Sequence, residues 1–324
     1  MQTIAVLGAN GRLSNAVAKA FHASGYRVIA VTRSGNARGL AAEIEQRTAD
    51  AMDRQALIRA TQGAGFIFNG LNPAYTQWKR FVLPMGENVM AAAREHGAVH
   101  LFPGNVYNYG RTIPSHVHSY TQQKAETRKG LIRIRLEELF EDRAKRNGVQ
   151  TILLRAGDFY GGPVTGSWFD LVIASKMAKG VFTYPGPPDV AHSWAYLPDL
   201  AETFVRLAGK AGELQRFATF LFPGHTMTGD ELKRYCDAAA DMPLKRAGVP
   251  WPLLKAGALV VPMLREVCEM AYLWKVPHSL DGHALDAAIG AVPCTEPQAA
   301  VAAALADLGV TAAHPQQNRA FAAV

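Results

Sequence analysis

Gly8-Ala9-Asn10-Gly11-Arg12-Leu13-Ser14 follows directly on the apolar run Thr3-Ile4-Ala5-Val6-Leu7 and leads into an alanine-rich helical stretch. Glycine at the first position permits a tight turn, and at the second it lets backbone approach a ligand closely. The start of a helix adds unpaired N–H groups and the positive end of a dipole, so the segment suits a diphosphate. Ser14 takes the third small position, where helix and strand must pack closely. The end of the second strand then bears on which dinucleotide binds. An acid there would accept hydrogen bonds from ribose hydroxyls, whereas Val28-Ile29-Ala30-Val31 continues into Thr32-Arg33-Ser34. Arg33, with Arg12 approaching from the turn, suits a 2′-phosphate, and NADP is the expected cofactor over NAD. Asp50, after a short third strand, is placed for the adenine amino group; its rival reading is a helix-start charge ahead of Asp53.

Positioning these residues takes strands alternating with helices. Short apolar runs suited to strands buried on both faces fall at 3–7, 26–31, 66–68, 99–102 and 150–154, with helical periodicity at 13–24, 53–62, 78–95 and 127–147. That alternation implies a parallel sheet with right-handed crossovers. The expected fold class is α/β, a Rossmann-type doubly wound parallel sheet with a smaller, mostly helical C-terminal substrate lobe. Boundaries drawn from the pattern are 1–160 for the dinucleotide-binding domain and 161–324 for the lobe, with sheet-completing segments near 190–224. Thr228 ahead of Glu231 reads as a capping box, and 311–324 loses apolar periodicity and is expected to fray.

A chain of 324 residues can bury a large core. Its net charge of +7 would suit an acidic ligand or nucleic acid, but cations alternate with acids, as in Arg133-Ile134-Arg135-Leu136-Glu137-Glu138. That is the pattern of a solvated helix face and argues against nucleic acid. Cys236, Cys268 and Cys294 are widely separated, so neither a disulfide frame nor a zinc site is indicated. No apolar run reaches membrane-spanning length and no basic leader precedes the first strand. The cytoplasm is the expected compartment, without a membrane partner.

Taken in order, several segments resemble the extended or atypical short-chain dehydrogenase/reductase family, the NAD(P)-dependent epimerase/dehydratase group, over residues 1–224. They are Gly8-x-x-Gly11-x-x-Ser14, Asp50, Asn69-Gly70-Leu71-Asn72-Pro73, Asn105-Val106-Tyr107-Asn108-Tyr109-Gly110, Arg155-Ala156-Gly157-Asp158-Phe159-Tyr160-Gly161 and Trp194-Ala195-Tyr196-Leu197-Pro198-Asp199. The resemblance implies that Asn10, Leu13, Ala51, Gly70, Leu71, Gly104, Ala156 and Asp158 join Gly8, Gly11, Arg12, Arg33 and Asp50 around the cofactor. It also implies a Tyr and a Lys four residues apart on one helix face, with a Ser or Thr nearby. The ammonium would hold the ribose and lower the phenol's pKa while the phenol moves a proton. Two registers compete. Tyr120 and Lys124 match literally but precede the periodic helix, whereas Lys129 and Arg133, followed by Glu137, lie within it. We favour the second, which puts Lys in the Tyr position, Arg in the Lys position and Asn105 in the Ser position. Lys129 would then need a pKa well below about 10.4 to act as an acid; Tyr107, Tyr109 and Tyr160 are other phenols at the carboxyl ends of strands.

The function these readings imply is an NADP-dependent oxidoreductase or epimerase/dehydratase-like protein acting on a carbonyl or alcohol of a small-molecule substrate. Lys129, Asn105 and Tyr107 would polarise the substrate oxygen, and Arg133 would orient the ribose. The alternative is a non-catalytic protein that senses NADP(H), with a degenerate Tyr-x-x-x-Lys pair. The apolar stretch 251–274 reads as a wall over the cofactor, as core, or as a contact in a homodimer. His96 and His100 read as structural; His116, His118, His192, His225, His278 and His283 have no partner that sequence identifies.

Overall fold

The computed structural model describes residues 1–310; the tail expected to fray lies outside the described residues. Seven strands run parallel: β1 (Thr3–Leu7), β2 (Arg27–Thr32), β3 (Glu45–Thr48), β4 (Phe66–Asn69), β5 (Val99–Gly104), β6 (Thr151–Arg155) and β7 (Phe217–Leu221). They form one sheet in the order β7-β6-β5-β4-β1-β2-β3. The strand order reverses beside β1, and the crevice at the carboxyl ends of β1 and β4 is where such sheets bind ligands.

Helices α1 (Arg12–Ala23), α2 (Arg54–Ala60), α3 (Trp78–His96), α4 (Arg128–Asn147) and α5 (Leu197–Gly209) cover both faces. Alternate strand residues divide between two cores. Ala5, Ile29, Ile67 and Leu153 meet Leu57, Val89 and Phe140 of α2 to α4, while Val6, Val28, Phe68 and Leu154 meet Val17, Phe21 and Phe204 of α1 and α5. Burial on both faces explains why these strands are continuously apolar rather than alternating. At the start of α4, Thr127 accepts a hydrogen bond from Gly130 N at 3.1 Å, and Gly148 ends the helix with a φ of 71°.

The C-terminal lobe contains α6 (Gly229–Ala240), α7 (Trp251–Gly257), α8 (Pro262–Glu269), α9 (His283–Ile289) and α10 (Pro297–Asp307). A separate three-stranded sheet is made of 158–160, 192–196 and 225–227, and Tyr160, Phe169, Phe182, Trp194 and Trp274 form the core beside it. The chain re-enters the main sheet after position 160 to supply α5 and β7, so the lobe is not a contiguous half. The capping box on α6 is formed, with Glu231 N donating to Thr228 Oγ1 at 3.2 Å and Thr228 N to Glu231 Oε2 at 2.8 Å.

The tightest packing lies where β1 hands over to α1. Ser14 Oγ is buried and donates to Leu7 O at 3.0 Å. A Cβ on Gly70 would overlap that oxygen and come within 2.9 Å of the Phe68 ring. Gly70→Ala is therefore expected to destabilise the fold by about 1–3 kcal/mol, with part of the loss recovered when Ser14→Gly is added. Thermal unfolding of the two variants checks this, and an unchanged midpoint for Gly70→Ala alone would refute it.

Candidate functional site

Gly8 adopts a φ of +66°, and Gly11 N donates to Gly8 O at 2.7 Å, closing the turn ahead of α1. A Cβ on Gly8 would stand 3.3 Å from Gly70 O, and one on Gly11 3.1 Å from Gly8 O. Side chains at these positions would fill the cradle or force it open. Gly11 is itself the N-cap of α1, with no side chain capping the first amides. Those amides and the helix dipole are what a diphosphate requires, so the residues present fit a dinucleotide.

The loop after β2 is pinned against this turn. Asn10 Nδ2 donates to Asn36 O at 2.8 Å while its Oδ1 accepts from Arg38 N at 2.9 Å, and Asn15 Nδ2 donates to Arg38 O at 2.9 Å. Arg33 is exposed on that loop with no ion pair among the described residues. Arg12 does not join it. Its guanidinium lies 3.0 Å from Asp170 and donates to Gly161 O at 2.8 Å, which corrects the expectation that both arginines meet one phosphate. Leu13, Ala51 and Ala156 are buried, and Asp50 is exposed with Oδ1 accepting from Met52 N at 2.9 Å. Gly70 and Leu71 follow β4 and Gly104 ends β5, where a Cβ would crowd Leu153 and Arg155.

Of the two catalytic registers, Tyr120 and Lys124 sit on a non-helical segment before α4. Tyr120 is 82% exposed and stacks on His118. The literal pair thus shares no helix face. Lys129 and Arg133 occupy the first turns of α4, which can approach Tyr107 because Gly130 has no Cβ to strike the Tyr107 carbonyl. Lys129, only 1% exposed, donates to Glu269 Oε2 at 2.7 Å, to Glu266 O at 3.1 Å and to the Glu266 carboxylate. Three donors meet three acceptors, so no hydrogen remains for a substrate oxygen. The polarising role expected of Lys129 is corrected on that ground: it latches α8 to α4. Burial works to raise the Glu269 carboxyl, but the hydrogen bond and charge of Lys129 overcome it and hold the group below its ordinary value. Asn105 Oδ1 accepts from Tyr107 N at 3.0 Å within its own loop.

Arg133 is a different case. Its guanidinium is buried 4.6 Å above the Trp78 ring and 5.5 Å from that of Phe102, and it has no hydrogen-bond or ion-pair partner among the described residues. Burial lowers its pKa, with Tyr107 and Glu137 pulling the other way. Nearby, the hydroxyls of Tyr107 and Tyr75 are 2.9 Å apart. Burial, helped by Tyr75 and Asp158, pushes Tyr107 well above its ordinary value against the pull of Arg133, so its hydroxyl keeps its proton.

Sequence reasoning missed the group behind Asp158. Its Oδ2 lies 2.9 Å from His192 Nε2, and His192 is buried, stacked 4.3 Å from Trp274, with His278 edge-on at 4.7 Å. Burial, with the His192 ring alongside, holds His278 down to about 4. Further off, His225 receives the Tyr160 hydroxyl at 2.6 Å. Only the fold brings these partners together; the Glu266-x-x-Glu269 spacing was the one local signal, and it lay inside a stretch read as apolar. Lys129→Met should cost about 3–5 kcal/mol, as expected when a buried ion pair loses one member. Adding Glu266→Gln and Glu269→Gln should recover part of that. The stability supplied by Glu269 is present at neutral pH and is lost as pH falls below about 4.3 through its depressed pKa. Urea unfolding of wild type and variants between pH 7 and pH 3 measures both effects; a Lys129→Met midpoint equal to wild type would refute the latch.

No curated protein sequence matches the chain. Solved structures do. The UDP-glucose 4-epimerase of Thermotoga maritima, solved with UDP-glucose, superposes with a TM-score of 0.77 at 13% identity, over 95% of this chain and 99% of that one. A UDP-glucose 4-epimerase from Brucella ovis in complex with NAD gives 0.75 at 14% identity, over 96% and 99%. A GalE-like L-threonine dehydrogenase from Cupriavidus necator in its holo form gives 0.76 at 17% identity, over 95% and 100%. At such identities these likenesses establish the fold. The model of the NAD dependent epimerase/dehydratase family matches residues 4–218, the region whose motifs carried the resemblance, and the chain belongs to that family.

Proposed function

We propose that the chain is an NADP(H)-linked oxidoreductase or epimerase/dehydratase working on the carbonyl or alcohol carbon of a small molecule. Support comes from the uncapped start of α1, and from an exposed arginine with no acid at the end of β2. The observation that carries the reading is Arg133, a buried guanidinium with no bonded partner on the α4 face assigned to the nicotinamide ribose. A bound nicotinamide would supply hydride exchange with the substrate carbon. Arg133 holds the ribose hydroxyls. Tyr107, kept protonated, donates to the substrate oxygen; Tyr75, bonded to it, passes on a replacement proton drawn from solvent, and the positive charge of Arg133 favours the phenolate left in between.

A second reading has one observation on its side. The residue in the tyrosine position, Lys129, is fully bonded to α8, which suits a protein that binds NADP(H) without turnover.

Oxidation of NADPH against a panel of aldehydes, ketones and nucleotide sugars separates the two, since stoichiometric binding with no oxidation of any panel member selects the sensor. For the enzyme, Tyr107→Phe should lower turnover about 100-fold and Tyr120→Phe should leave it intact. Arg33→Asp should weaken NADPH at least about tenfold more than NADH, the loss of one charge-assisted contact. Equal losses in a fluorescence titration would remove the NADP assignment.

A further inference from the structure

Helices α7 and α8 form a hairpin that buries no residue of its own. Its inner side is held by Trp251 Nε1 donating to Pro185 O at 2.7 Å and by Glu266 and Glu269 on Lys129. The outer end is apolar. Leu253 is 72% exposed, Leu259 80% and Val260 81%, with Val261 and Met263 beside them. Isolated exposed leucines are ordinary, but the unbroken exposed run Leu259-Val260-Val261-Pro262-Met263, where α7 turns into α8, marks an interaction surface.

Charge decides what that surface meets. Residues 242–265 contain Lys245, Arg246, Lys255 and Arg265 and no acid at all. Arg246 is neutralised by Asp230, while Lys245, Lys255 and Arg265 are exposed with no ion pair among the described residues. Two copies of the tip meeting symmetrically would bring Lys255 and Arg265 of each copy, four cations, into one contact with no acid from residues 242–265 to answer them. An apolar apex with cationic shoulders is instead complementary to a layer of lipid phosphates above hydrocarbon.

We propose that the α7–α8 hairpin docks this protein on anionic phospholipid bilayers. Leu259 and Val260 enter the boundary between headgroups and acyl chains, and Lys255 and Arg265 extend along it to the phosphates. No helix among the described residues is long and apolar enough to cross a membrane, and the contact proposed is peripheral. Through Glu266 and Glu269 the docked hairpin bears on Lys129 at the start of α4.

The test is co-sedimentation of the full chain with phosphatidylcholine vesicles containing phosphatidylserine, and with pure phosphatidylcholine vesicles. Wild type should pellet with the anionic vesicles and not the neutral ones, and release should begin as salt is raised. Leu259→Ser with Val260→Ser should weaken binding at least tenfold, and Lys255→Glu with Arg265→Glu should abolish the preference for anionic lipid, with circular dichroism and thermal midpoint unchanged for both. No binding to anionic vesicles overturns the proposal. So does a Leu259→Ser/Val260→Ser variant that binds as wild type does, because charge alone would then suffice. A wild-type dimer that this variant converts to monomer, seen by light scattering, also overturns it and makes the tip a subunit contact.

Discussion

The backbone amides at the start of α1 depend on space. Gly8, Gly11 and Gly70 leave room where the ends of β1 and β4 nearly touch, and Ser14 fills the remaining gap while bonding Leu7 O. A helix start without a side-chain cap normally leaves donors to water, a modest loss of stability that persists where a ligand takes them over. The sheet order, the reversal beside β1 and the pinned loop after β2 all serve to keep that one concavity open and correctly walled. Larger residues there would strike the Gly70 or Gly8 carbonyl, the Ser14 hydroxyl or the Phe68 ring.

Within α4, two residues one turn apart do opposite things. Lys129 is a cation whose three donors all meet acceptors, whereas Arg133 is a cation lodged among aromatic rings with nothing bonded to it among the described residues. Their spacing places them on the same side of the helix, and the difference arises from what lies opposite. Lys129 faces two carboxylates of α8; Arg133 faces Trp78 and Phe102. In the register we favour for the family's phenol and ammonium pair, the first position is bonded to α8 and the second lies against aromatic rings.

How much of this was legible follows from the range of each interaction. Doubly buried strands announce themselves as unbroken apolar runs, and α4 could be bounded from Thr127 and Gly148 because caps act within a turn. The phosphate turn is equally local. What could not be read are contacts closed by the fold. His192 stands 34 positions from Asp158, and Glu269 stands 140 from Lys129. The assignment of Arg12 to a 2′-phosphate failed for the same reason, since its true partner lies far downstream in the lobe. The stretch 251–274 reads as rich in apolar side chains, yet Glu266 and Glu269 turn in to Lys129 while Leu253 and Leu259 lie exposed, an inversion that hydropathy alone hides.

The bond between Arg12 and Asp170 also shapes how the protein would respond to ionic strength. With that guanidinium already neutralised inside the protein, the diphosphate is met by neutral dipoles, whose short reach added electrolyte scarcely attenuates. Exposed positive charge free of ion pairs among the described residues then lies on Arg33 and Arg38 in the loop after β2. Attraction of the ligand over distance would thus come from one extremity of the groove and fade as counterions accumulate, while its retention at the centre would hold nearly constant.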